Sequence, residues 1–260
     1  MRLFSIPPVG LRRIGDFYIP PSHTHTPQLM RTTLLLLAAI LVAPTAFAQK
    51  AITLANPTNQ ELFAGFTGAG FSPTPAAGQL DSDEFAISGA SDGDLSFGAT
   101  QTASSDFARG ASGPGVTTGG IYAFTVPGQP TVLGVQPGGS DLTPGAITVR
   151  YVNQTGNTIL DLAVAYTIVF NNDQGRSNSL NFAYTADCSG GTGSTFTGVP
   201  ALNFTTPEAA GADPASSIGG VARSNTFTAI NIPNNQTFCI QFQIDDVAGS
   251  GSRDEVGITD

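Results

Sequence analysis

Between residues 160 and 170, large side chains fall on every second position: Leu160, Leu162, Val164, Tyr166, Ile168 and Phe170. The residues between them are small or polar, apart from Val169. Successive side chains of a strand point to opposite faces, so this period predicts a long strand with one apolar face and excludes an amphipathic helix. The pattern recurs at Leu180, Phe182 and Tyr184, at Phe238, Ile240, Phe242 and Ile244, and at Ile147, Val149 and Tyr151 with Arg150 pointing outward. Shorter strands are expected at 61–66, 84–88, 95–97, 121–126, 131–135, 196–199, 226–232 and 255–258. Pro-Gly, Gly-Gly and Asn-Asn pairs punctuate them. The one Ala-rich stretch, 209–215, is interrupted by Gly211 and Pro214. About a dozen short strands predict an all-β fold, a two-sheet antiparallel sandwich of jelly-roll-like form, with a barrel as the second choice. Residues 98–120, rich in Gly, Ser, Thr and Ala, read as a long surface loop.

The chain begins with something other than a domain. Nine apolar residues, 34–42, follow Arg31, and Ala46-Phe47-Ala48 places small residues where a signal peptidase reads them. Nine residues reach about 14 Å as a helix, too short to span a bilayer. Residues 30–48 are therefore read as a secretory signal peptide starting at Met30, 1–29 as an upstream extension lying before the true start, and 49–260 as a single β-sandwich domain. No transmembrane segment is expected after cleavage, and the location is extracellular, cell-surface or periplasmic.

Cleavage leaves 212 residues with six basic and eighteen acidic side chains, a net charge of −12. It also removes both histidines, His23 and His25, and leaves Lys50 as the one lysine. Such a domain has no Ser-His-Asp or Cys-His site and no His-ligated metal. It lacks an interior amine for a Schiff base. Its charge repels nucleic acid, so no nucleic-acid partner is expected. Carboxylates, five arginines, hydroxyls and two cysteines remain as its chemistry.

Several segments together carry a resemblance: 65–68 (GFTG), 79–83 (QLDSD), 119–122 (GGIY), 133–139 (LGVQPGG), 171–177 (NNDQGRS) and 249–255 (GSGSRDE). Over most of 60–260 the chain resembles a poorly characterised exported bacterial β-sandwich module. Such modules occur alone or beside lamin-tail-like, sorting, or secreted nuclease and phosphatase domains. The resemblance implies an accessory or surface role.

Three sets of residues are candidates for more than packing. Asp81, Asp83, Glu84, Asp92 and Asp94 bracket a short strand, and calcium takes hard oxygen ligands of this type. If the domain holds a metal, structural calcium is expected here, with Asp254 or Asp260 as loose additions. The competing reading is a solvated acidic edge that blunts strand pairing. Arg176, Arg253, Asp245, Asp246 and Asp254 are expected to form structural ion pairs that pin loops, since arginine offers a planar fork of donors. The triplets beginning at Asn153, Asn203 and Asn235 match the glycosylation pattern and read as ordinary turn and strand residues.

The mature chain has two cysteines behind an export signal, which favours a disulfide between Cys188 and Cys239. Side-chain parity opposes it. Cys239 lies on the face away from Phe238 and Ile240, whereas Cys188 shares parity with the apolar face of its own strand. The bond therefore requires that strand to end or bulge near Asp187; two separate buried thiols are the alternative. The functional expectation is an exported non-enzymatic β-sandwich with a surface, accessory or ligand-binding role, a glycan or a cell-surface protein being the candidate partners. A carboxylate-dependent extracellular hydrolase acting on glycans is the competing class.

Overall fold

The alternating segments all become strands, and their apolar faces meet. In the computed structural model, residues 49–60, 63–209 and 218–259 are described, so the extension at 1–29, the leader at 30–48 and Asp260 lie outside them. In chain order the strands are β1 Lys50–Thr53, β2 Phe66–Ser72, β3 Gly78–Asp81, β4 Phe85–Ser88, β5 Ala111–Ser112, β6 Gly120–Phe124, β7 Val132–Gln136, β8 Gly145–Gln154, β9 Leu162–Asn171, β10 Arg176–Thr185, β11 Thr197–Gly198, β12 Phe204–Thr205, β13 Ile218–Phe227, β14 Thr237–Gly249 and β15 Glu255–Thr259. The first sheet runs β1-β8-β14-β10-β11, with β4 also on β8 and β12 also on β10. The second runs β13-β9-β15-β7-β6-β5. Pairing is antiparallel except at the margins, where β1 joins β8 and β5 joins β6 in parallel. A small parallel pair, β2 and β3, stands apart from both sheets.

The fold is an all-β sandwich. One core holds Ile147, Val149, Tyr151, Leu180, Phe182, Phe238, Ile240 and Phe242 from the first sheet. It holds Leu133, Val135, Leu162, Val164, Tyr166, Ile168, Val256 and Ile258 from the second. Tyr166 joins the layers: its ring stacks on Phe182 at 5.9 Å and meets Phe242 edge-on at 5.1 Å. Its hydroxyl donates to the Leu202 carbonyl, so the buried phenol is satisfied. Val169, the exception in the alternation, packs with Tyr122, Phe124, Val126 and Val132 on the outer face of the second sheet. Leu160 lies outside the strand and is 54% exposed.

Several expected boundaries differ. Of the strand expected at 61–66, residues 61 and 62 lie outside the described residues, 63–65 form a 3-10 turn, and β2 begins at Phe66. Leu95 makes a single bridge to Ile87 rather than a strand. The strand expected at 226–232 ends at Phe227, because Ala229 and Asn231 take positive φ. It is instead the last part of β13, a ten-residue edge strand. Residues 98–120 are no free surface loop: Phe107 is fully buried, β5 pairs with β6, and Gln101 bridges to Phe71. Asn153 is buried in β8, its amide donating to the carbonyls of Asn157, Ile232 and Pro233, as an ordinary strand residue holding the neighbouring turns.

The disulfide forms, with the Cys188 and Cys239 Cα atoms 5.6 Å apart. The strand ends where the bond requires it to: β10 stops at Thr185, which is paired with Cys239. The next three residues then swing Cys188 across the outer face of the first sheet. Its N–H donates to the Thr237 carbonyl.

Candidate functional site

The outer face of the first sheet is a set of cross-strand rows. Thr185, Cys239 and Arg150 form the first; Ala183, Gln241, Thr148 and Ala86 the second; Asn181, Gln243, Ala146 and Ser88 the third; Ser179 and Asp245 the last. The first row is closed over. The Arg150 guanidinium lies 4.2 Å from the Phe97 ring centroid and donates twice to the Asp83 carbonyl, at 3.0 and 2.7 Å. Beyond it the outward side chains of β4 and β8 shrink to Ala, Ser and Thr, and a shallow trough of about 410 Å³ opens. Its lining includes Ser88, Ala146, Ser179, Asn181, Gln241 and Gln243, with Asp245 as its one carboxylate. The amides are pre-set: Gln243 donates to the Gln241 side-chain oxygen at 2.8 Å, and Gln241 donates to the Thr148 hydroxyl at 3.1 Å. These hydrogen bonds use the donor ends of both amides, and Gln243 is exposed to solvent.

The arginine cluster is built around one carboxylate. Asp246 accepts from Arg176 at 2.7 Å and from Arg253 twice, each at 2.7 Å. Burial pushes its pKa up, but the two guanidiniums outweigh that and hold it below the usual value. Asp245 and Asp254, expected in these pairs, are not in them. Asp245 accepts from the Asp246 backbone N–H, and Asp254 from that of Gln174. Sequence parity cannot show this, because β10 and β14 fall out of register between Ser177 and Asn178, and a bulge re-aims the side chains beside it.

The acidic residues near β4 divide between separate tasks. Asp81 accepts from the Asp83 N–H at 2.8 Å, and Glu84 lies 3.8 Å from the Lys50 amine. Burial raises the pKa of both carboxyls. Asp94 closes a turn by accepting from Gly89, and Asp92 accepts from the N–H of Asp106. Among the described residues no three His, Cys, Asp or Glu side chains are grouped to hold a metal ion. The five carboxylates expected to gather a calcium ion therefore do not converge.

Asp106 and Arg109, missed in the sequence, form the clasp of the 98–120 segment. Asp106 is 2% exposed and accepts from the Ser91 hydroxyl, the Asp92 N–H and the Arg109 guanidinium. Burial works against its charge, but these donors together depress its pKa. Glu255 is the opposite case. Burial and then the neighbouring Asp173 push its carboxyl up to about 7, although it accepts from the Asn171 amide and the Gly115 N–H.

Compared with known protein families and with curated proteins, the sequence matches none.

Proposed function

We propose that this chain is an exported, non-enzymatic β-sandwich that binds a neutral, hydroxyl-rich ligand of the glycan class in the trough on the outer face of its first sheet. The observation that carries this reading is the lining: oriented amides and hydroxyls over a floor of small side chains, with one carboxylate and no cation. Such groups exchange hydrogen bonds with sugar hydroxyls and have little to offer a charged ligand. The volume suits a small ligand. The disulfide supports export, since such bonds persist in oxidising compartments. An accessory role at the cell surface agrees with the module that the chain resembles.

One observation favours the hydrolase reading. Glu255, raised to about 7, lies beside Asp173, as an acid and its partner carboxylate would. Against it, Glu255 is 1% exposed and both its oxygens already accept hydrogen bonds. A general acid must reach a glycosidic oxygen, and this carboxyl faces the protein.

The test is a panel of immobilised neutral oligosaccharides probed with the protein and with Asn181→Ala and Gln243→Ala. Binding to a subset, lost or weakened at least tenfold in both variants and without release of reducing ends, is the expected result. Binding unaffected by either variant, or reducing-end release that Glu255→Gln abolishes, overturns the proposal.

A further inference from the structure

At one end of the sandwich the core rows stop being apolar. The inward-facing series Leu162, Val164, Tyr166, Ile168, Phe170 of β9 runs on to Asn172. That of β10, read backwards through Tyr184, Phe182 and Leu180, ends in Asn178, and Val256 of β15 is preceded at the same parity by Asp254. Asn178 and Asp254 are both 0% exposed. Polar groups placed where a core would continue are costly unless each finds a partner.

These do not all find one. Asn172 Oδ1, Asp173 Oδ1, Asn178 Oδ1 and Asp254 Oδ2 are buried with no hydrogen-bond partner, as is Arg176 Nε. Four of the five are acceptors. The rest of each group is held in place. The Asn178 amide donates to the Asp254 carbonyl at 2.8 Å, and the Asn172 amide to the Ala209 carbonyl at 2.9 Å. Asp254 Oδ1 accepts from the Gln174 N–H, and the Thr206 hydroxyl, which accepts from the Asn178 N–H at 3.0 Å, donates in turn to the Asp254 carboxylate. The amide orientation is thus fixed by its donor end, which leaves the oxygen of Asn178 as the free atom. The arginines nearby do not neutralise this end, since the hydrogen bonds of Arg176 and Arg253 to carboxylates go to Asp246.

A water molecule donates two hydrogen bonds, so a single water leaves half of these acceptors unmet. A metal cation meets them together. Two carboxylates and two amide oxygens, with a hydroxyl beside them, are the hard-oxygen set that calcium takes, and their charge of −2 matches a divalent ion. We propose that the protein binds one hard divalent cation of the calcium class through Asp173, Asp254, Asn172 and Asn178, between the two sheets. The site ties the β9–β10 turn to the β14–β15 turn. The glycan reading does not depend on it.

The test uses the full chain, stripped with a chelator and dialysed against calcium, magnesium or no metal. Metal content is read by mass spectrometry and Tm by circular dichroism. The expected results are one calcium per chain and a Tm higher by about 5–10 °C at a hundredfold excess over Kd. Asp173→Asn, in a half-buried turn, and Asp254→Asn each remove the calcium-dependent shift, whereas Asp81→Asn and Asp94→Asn retain it. The stripped wild-type protein needs no variant to fold, so its failure to take up calcium or magnesium overturns the proposal. So does a shift that survives Asp173→Asn or is lost in Asp81→Asn.

Discussion

Replacing both cysteines by alanine removes a constraint whose size follows from topology. The bridge spans 51 residues. Within that span the chain leaves the first sheet after β10, returns briefly as β11 and β12, crosses to the second sheet as β13 and comes back as β14. In the chain-entropy treatment, closing a loop of that length in the unfolded chain is worth about 4 kcal/mol at 25 °C. A domain of this size loses about 2–4 °C of Tm per kcal/mol, so Cys188→Ala/Cys239→Ala is expected to melt about 8–16 °C below the wild type. Part of any loss comes from packing, because both sulfurs are buried. The wild type melted in a strong reductant separates the two, since it keeps the sulfur atoms and loses the bond. Its Tm is expected to fall by most of the same amount. A reduced protein melting within about 2 °C of the oxidised one would refute the reasoning. It would mean that the 51-residue segment is already restricted in the unfolded state.

Two further expectations follow from the packing and a third from the leader. Asp106→Asn leaves Arg109 and the Ser91–Asp92 turn without their anion and is expected to cost about 2–3 kcal/mol by chemical denaturation. Because the folded pKa of Asp106 is depressed, its contribution is complete above the ordinary carboxylate range and is lost as pH falls below about 4. The variant is therefore expected to show a shallower acid limb; an unchanged limb contradicts the assignment. Gly134→Ala puts a methyl group into the Phe124 ring that lies across that glycine and is expected to cost about 1–3 kcal/mol; a neutral result in a thermal melt would show that the ring moves aside freely. N-terminal sequencing of exported protein is expected to begin at Gln49, and a mature chain that retains residues 34–42 contradicts the leader reading.

The strands legible in the sequence are those whose large side chains alternate: β8, β9, β10 and β14. Their burial on one face is what period two encodes. β13 escaped notice because its pattern is carried by small residues on an edge strand, where the backbone does the pairing. Gly219 is there because the Phe170 ring of β9 occupies the space a Cβ would take. The buried clasp at Asp106 and Phe107 also escaped, since no periodicity marks a segment held by hydrogen bonds to distant residues. For the sites, sequence identified the chemistry but not the placement. Asp246 and the two arginines form the pairs expected of them. Asp254, at the same parity as the core of β15, is fully buried and its carboxylate accepts instead from the Gln174 backbone N–H. The trough depends on which outward residues the registers of β4, β8, β10 and β14 place side by side, and that is a tertiary fact.

The claim that the outer face of the first sheet is the binding surface is tested most directly by amide chemical-shift mapping with a neutral oligosaccharide. The account predicts perturbations concentrated at Ser88, Ala146, Asn181, Gln241 and Gln243, saturating with added sugar and absent in Gln243→Ala. Shifts centred on the second sheet, or no saturable shift with any neutral oligosaccharide that the panel retains, contradict it.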